Sequence, residues 1–244
     1  MPDLTPPPRT LKRIGHKGAD LITPGNTLAS FDAALAAGVD MVEFDVLPEH
    51  PDGSGRLVLA HDFAAAQRGT AITLEEGLAH FVQDAWAGVE LDVDMKLAGY
   101  EQRVVDALHE HGLAERALIS TMEESSLPIV RAADPRIRLG WSVPKIRRNP
   151  LSSRWTRVPA MVLARYAQLI LPGRAATAIR SGRIDALMCH WALVSARLVR
   201  TIDDAGGELY VWTVDDAERI AKLERLGVTG VITNDPRLFG GAAA

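Results

Sequence analysis

The chain has 244 residues, about the length of one (β/α)8 barrel and enough to bury a core by itself. An apolar fraction of 47% and a charged fraction of 24% are ordinary for a globular protein, and no apolar run reaches the roughly 20 residues a membrane-spanning helix needs. Cys189, the single cysteine, excludes an internal disulfide and suits a buried thiol in a reducing, cytoplasmic setting.

In chain order, residues 1–10 carry Pro2, Pro6, Pro7 and Pro8 without an apolar stretch of the signal-peptide kind, so they read as a tail. Strand-like runs follow at 11–16, 40–46, 89–95, 116–120, 137–142, 184–189, 208–213 and 230–233. Helical spacing appears between them at 27–37, 100–111, 123–133, 195–205 and 215–226. Gly38, Gly112, Gly206 and Gly227 sit just past helix ends, where a left-handed residue closes the last turn. Eight strands in βα alternation predict a single closed TIM barrel over 11–239, and 56–60 reads as an elaboration of the loop after the second strand. Residues 240–244 read as a second tail.

Two strands carry charge on one face. In 89–96, Val89, Leu91, Val93 and Met95 alternate with Glu90, Asp92, Asp94 and Lys96, so one face suits the outer helices and the other points into the barrel. Glu43 and Asp45 repeat the device against Val42, Phe44 and Val46, and carboxylates at such spacing can grip a hard cation. Charge inside a barrel is costly unless paired or bound to metal. Climbing toward the C-terminal rim, where barrel active sites lie, it marks a site. His16 and His61 stand at comparable strand ends, where imidazoles can supply general acid and base near neutral pH.

The stretch His16-Lys17-Gly18, Gly25-Asn26-Thr27, Gly38-Val39-Asp40-Met41-Val42-Glu43-Phe44-Asp45-Val46 and Val58-Leu59-Ala60-His61-Asp62 resembles the glycerophosphodiester phosphodiesterase family, with its H-R-G, E-N-T, G-A-D-x-I-E-x-D-V and V-x-H-D. The likeness continues through Val93-Asp94-Met95-Lys96, Leu118-Ile119-Ser120-Thr121, Val211-Trp212-Thr213-Val214-Asp215 and Gly230-Val231-Ile232-Thr233-Asn234. The resemblance implies one divalent cation, Mg2+ or Ca2+, on Glu43, Asp45 and Asp94, with His16 and His61 as the acid/base pair. It implies Lys17 and Lys96 on the phosphate, Trp212 beside the alcohol half, and a small phosphodiester as substrate. Three positions depart from the pattern: Lys17 replaces an arginine, Gly25 a glutamate, and Asp94 a glutamate. The alternative they raise is a degenerate barrel that binds a phosphodiester or anionic lipid without turnover.

Residues 145–183 hold nine basic residues and no acid, leaving 18 basic against 31 acidic elsewhere, a balance of −13. Within this segment 158–171 is nearly all apolar, with Pro159 and Pro172 at its ends. Following the fifth strand, it reads as an insert overhanging the active-site rim, a candidate lid touching an anionic membrane. Nucleic acid fits it poorly, since Trp155 alone interleaves the charges of 145–157. Pocket width near Trp141, His190 and Trp212 is expected to separate glycerophosphodiesters from lysophospholipids.

Overall fold

The computed structural model describes residues 10–145 and 154–240, with backbone alone for 154–164 and 167. Eight parallel strands close a barrel: β1 (Lys12–Gly15), β2 (Met41–Pro48), β4 (Glu90–Met95), β5 (Ala117–Thr121), β6 (Arg138–Val143), β7 (Ala186–His190), β8 (Glu208–Trp212) and β9 (Gly230–Thr233). Closure comes from β1, which pairs with β9 on one side and β2 on the other. The 56–60 elaboration is a real strand, β3 (Leu57–Leu59), antiparallel to the rim end of β2. Of the expected tails 1–10 and 240–244, residues 1–9 and 241–244 lie outside the described residues, as do 146–153 of the basic stretch.

The helices are α1 (Leu28–Ala36), α2 (Phe63–Ala66), α3 (Leu74–Phe81), α4 (Glu101–Glu110), α5 (Ser126–Ala133), α6 (Arg154–Arg180), α7 (Ala196–Asp203) and α8 (Ala217–Leu226). The four glycines expected at helix ends all take positive φ, between 67° and 84°. Sequence spacing missed α3, yet its start is well specified: Thr73 and Glu76 exchange side-chain and backbone hydrogen bonds in a capping box. Phe81 of α3 and Phe31 of α1 meet Phe44 on the outer face of β2, with ring centroids 4.9–5.9 Å apart. That aromatic cluster, worth about 0.5–1.5 kcal/mol per pair beyond burial, fixes the strand whose inner face carries Glu43 and Asp45.

The basic stretch is organised differently from the expected insert. The prolines do not end a helix: α6 runs 27 residues, about 40 Å, through both of them. Leu171, Ala175 and Ala178 are buried against the barrel, so the last third of α6 is the ordinary crossover helix between β6 and β7. Its earlier part is additional. Tyr166, Leu169 and Ile170 stay exposed, while Gln168 donates to the Ala192 carbonyl in the loop after β7. No helix among the described residues is long and apolar enough to cross a membrane.

Inside the barrel the charges of β4 separate by height. Glu90, read from sequence as part of the inward acidic ladder, lies at the base. There Lys12 (2.6 Å) and Arg138 hold it, and Arg138 also reaches Glu208 at 3.1 Å. Two cations and two anions close the bottom of the barrel and balance one another. Above them Ile14, Met41, Leu118, Met188 and Tyr210 form an apolar plug.

Candidate active site

Parallel pairing of β2 with β4 sets Glu43 beside Asp92 and Asp45 beside Asp94. Side-chain length then decides which groups reach the mouth. Glu43, a methylene longer than Asp92, extends upward, and Glu43, Asp45 and Asp94 each present an oxygen within 4.8 Å of the others. Asp92 remains below with its Oδ1 unpartnered, and burial raises its carboxyl to about 7 despite a hydrogen bond from Ser120. Lys96 contacts both Asp45 and Asp94. The buried Asp45 Oδ1 lies against this ammonium, while its Oδ2 accepts from Asn26.

Three carboxylates face one lysine, and their protonation reflects the imbalance. Burial and then the Asp45 charge raise Glu43 well above the usual carboxylate range. Burial opposes ionisation of Asp45 too, but Lys96, then Lys17 and the two histidines, hold it low. For Lys96, burial is outweighed by Asp45, Asp94 and Glu43, so the ammonium is held charged. A hard divalent cation fits this all-oxygen set and would offset the uncompensated charge.

Loop backbone around β1 locks the ligand strand in place. Gly15 must lack a side chain, because a Cβ there would run into the Gly18 carbonyl. Lys17 and Asn26 both take left-handed φ, 50° and 58°. The Lys17 N–H donates to Glu43 Oε2 at 2.7 Å, and Asn26 grips Asp45 twice: its Nδ2 donates to Oδ2 at 2.8 Å and its Oδ1 accepts the Asp45 N–H at 3.0 Å. Asn26 was visible only as the middle of a motif; its job needs the αL turn that aims it at β2.

His16 sits 3.9 Å from Glu43 and is lowered from its ordinary pKa, chiefly by burial against the opposing pull of Asp45. Asn234 Nδ2 donates to Asp215 Oδ2 at 2.7 Å, so Asn234 Oδ1 is left to accept from His16 Nδ1 at 2.5 Å. That chain places the proton on Nδ1 and leaves the Nε2 lone pair on the Glu43 side. Sequence reading placed Asn234 and Asp215 in strand-end motifs without a role. His61 is brought to the same rim but stays 57% exposed, with Asp62 at 3.6 Å and only its charge felt at Asp45. Trp212 packs on the apolar plug, edge-on to His190 at 5.2 Å, and its buried indole N–H has no partner. Trp141 does not line this mouth: it shares the outer face with Leu139 and Val143, under the Arg174 guanidinium of α6 at 4.9 Å.

The raised Asp92 carboxyl has a consequence for stability. A group whose folded pKa exceeds its unfolded value stabilises the fold most below the unfolded pKa, and that stability drains away up to the folded one. With chelator present, the wild type is expected to lose up to about 4 kcal/mol from this group between about pH 4 and 7. Urea unfolding of Asp92→Asn under the same conditions should show a shallower pH slope; an unchanged slope would remove the assignment.

The family model for the glycerophosphoryl diester phosphodiesterase family matches residues 16–73 and 73–238. A glycerophosphodiester phosphodiesterase from Caldanaerobacter subterraneus is 24% identical over 257 residues, covering 91% of this chain and 93% of that protein. One from Arabidopsis thaliana is 23% identical over 257 residues, covering 93% and 71%. Among solved structures, an Oleispira antarctica phosphodiesterase in complex with the product sn-glycerol-3-phosphate has a TM-score of 0.69 at 21% identity, covering 95% of this chain and 96% of that one. A glycerophosphodiester phosphodiesterase from Agrobacterium tumefaciens has the same TM-score at 16% identity, covering 96% and 100%, so the barrel is shared throughout. The match extends over nearly the whole barrel, and the chain belongs to the glycerophosphoryl diester phosphodiesterase family.

Proposed function

We propose that the protein hydrolyses a glycerophosphodiester to sn-glycerol 3-phosphate and an alcohol, using a divalent cation and a histidine pair. The observation that carries this reading is the meeting of Glu43, Asp45 and Asp94 within 4.8 Å, beside Lys96 and His16, at the barrel mouth. Glu43, Asp45 and Asp94 would hold Mg2+ or Ca2+, which when bound supplies Lewis-acid charge for a phosphate oxygen. Lys96 and Lys17 offset the remaining phosphodiester charge. His16, neutral and with Nε2 free, takes the proton of the entering hydroxyl as the new P–O bond forms; that hydroxyl is water, or the neighbouring glycerol oxygen, in which case water then opens the cyclic phosphate to the monoester. His61, at the rim, returns a proton to the alcohol oxygen as its P–O bond breaks. The unpartnered Trp212 N–H is a donor for an oxygen of the alcohol half.

A second reading concerns where the substrate comes from. Leu21 and Ile22 after β1, Tyr166, Leu169 and Ile170 on α6, and Trp191 after β7 are large apolar residues left exposed on or beside the mouth loops. With the acid-free basic stretch 145–183, they suit a protein working on the cytoplasmic side against an anionic lipid surface, where a lysophospholipid-type diester is at hand. Salt-sensitive binding to phosphatidylglycerol vesicles, weakened in Leu169→Ser and absent on phosphatidylcholine, is the expected outcome of a flotation assay. Equal recovery on both vesicle types would end this reading.

Turnover tests the main proposal. Glycerophosphocholine, glycerophosphoethanolamine, glycerophosphoglycerol and a lysophospholipid are offered with Mg2+, Ca2+ or chelator. Release of an alcohol should require the metal, and His16→Ala should lower kcat by at least about 100-fold with the fold intact. Metal binding without turnover of any of the four would instead mark a binding protein.

A further inference from the structure

The loop between β1 and α1 contains an ion pair whose acidic member has no role above. The Lys17 ammonium lies 3.7 Å from Asp20 Oδ2, and Asp20 Oδ1 accepts the Gly25 N–H at 2.8 Å. One carboxylate is thus fixed at both oxygens, from the backbone on one side and the lysine on the other. Lys17 is itself tied to the site: its N–H is bonded to Glu43, and its charge acts on both Asp45 and His16.

Gly25 explains the arrangement. Its φ is not in the left-handed region, so no conformational need excludes a side chain there. Space excludes it: a Cβ would stand 2.7 Å from Asp20 Oδ1 and 2.7 Å from Lys17 Cβ. An acid at 20 and a side chain at 25 therefore compete for one volume. Lys17 and Gly25, which departed separately from the family pattern, form one unit with Asp20.

This unit does little for stability. The two side chains are 18% and 35% exposed, and a pair so placed adds little to folding stability. Positioning is another matter. A lysine side chain has many rotamers, and a clamped carboxylate removes part of that freedom before any ligand arrives. We propose that Asp20 is a positioning residue that holds the Lys17 ammonium over the phosphate subsite, and that Gly25 is small in order to admit it. The proposal rests on the phosphodiesterase reading for its ligand class, a phosphate ester. An acid beside an anion also repels it, so the sign of the effect discriminates.

The experiment is a double-mutant cycle with Asp20→Asn and Lys17→Met on Mg2+-loaded protein. Calorimetry reads sn-glycerol 3-phosphate binding, and kinetics read KM and kcat on whichever diester the wild type cleaves. Asp20→Asn should weaken product binding and raise KM about three- to ten-fold with kcat within about two-fold, and should have no further effect in the Lys17→Met background. Gly25→Ala, whose Cβ would crowd both Asp20 Oδ1 and Lys17 Cβ, should weaken product binding in the wild type. Independent, multiplying effects, or unchanged or tighter product binding in Asp20→Asn, would overturn the proposal. Because calorimetry needs no turnover, a wild type that binds product but cleaves nothing sinks the phosphodiesterase reading alone. A wild type that binds no product sinks both.

Discussion

Uncompensated negative charge at the top of a closed barrel is the constraint around which the rest of the molecule is arranged. Buried carboxylates are stable as anions only when something positive stands close. At the base, Lys12 and Arg138 balance Glu90 and Glu208, and the account closes. One pleat up, burial outweighs the Ser120 hydrogen bond and the pull of Lys96 and Arg138, and the Asp92 carboxyl is pushed up to about 7. At the mouth Glu43, Asp45 and Asp94 share Lys96 among the described residues, with Lys17 and two histidines at the margin. Charge is neutralised from the bottom of the barrel toward the top and left open where a ligand can enter.

The scaffold serves that layering. Period-two alternation sends Val42, Phe44 and Val46 outward into aromatic packing while Glu43 and Asp45 point in. Parallel register then sets Asp45 against Asp94, and side-chain length lifts Glu43 but not Asp92 to the rim. Neutral groups finish the work. Asn26 and the Lys17 N–H satisfy oxygens of Asp45 and Glu43 without adding charge, and Asn234 orients His16 through an amide where a carboxylate would favour imidazolium.

The barrel, its eight main strands and the inward acids were legible because alternation and helix-closing glycines are local signals. Site residues were legible mostly through motifs: nothing local distinguishes Glu90 from Asp94, whose fates depend on Lys12 and Arg138 arriving from other strands. Trp141 shares the apolar parity of Leu139 and Val143, so its outward direction was readable in principle. Pro159 and Pro172 bracket an apolar run in the sequence, while α6 continues through both, its last third held by burial of Leu171, Ala175 and Ala178. Asp20 gave no signal at all, because its meaning lies in the space that Gly25 leaves empty.

Calorimetric titration of the chelated protein with Mg2+ and Ca2+ tests the central claim most directly. The account predicts one cation per chain, bound at least about ten-fold more weakly in Asp94→Asn, with protons released on binding as Glu43 ionises. A folded wild type that binds neither cation, or that binds one equally well without Asp94, would contradict it.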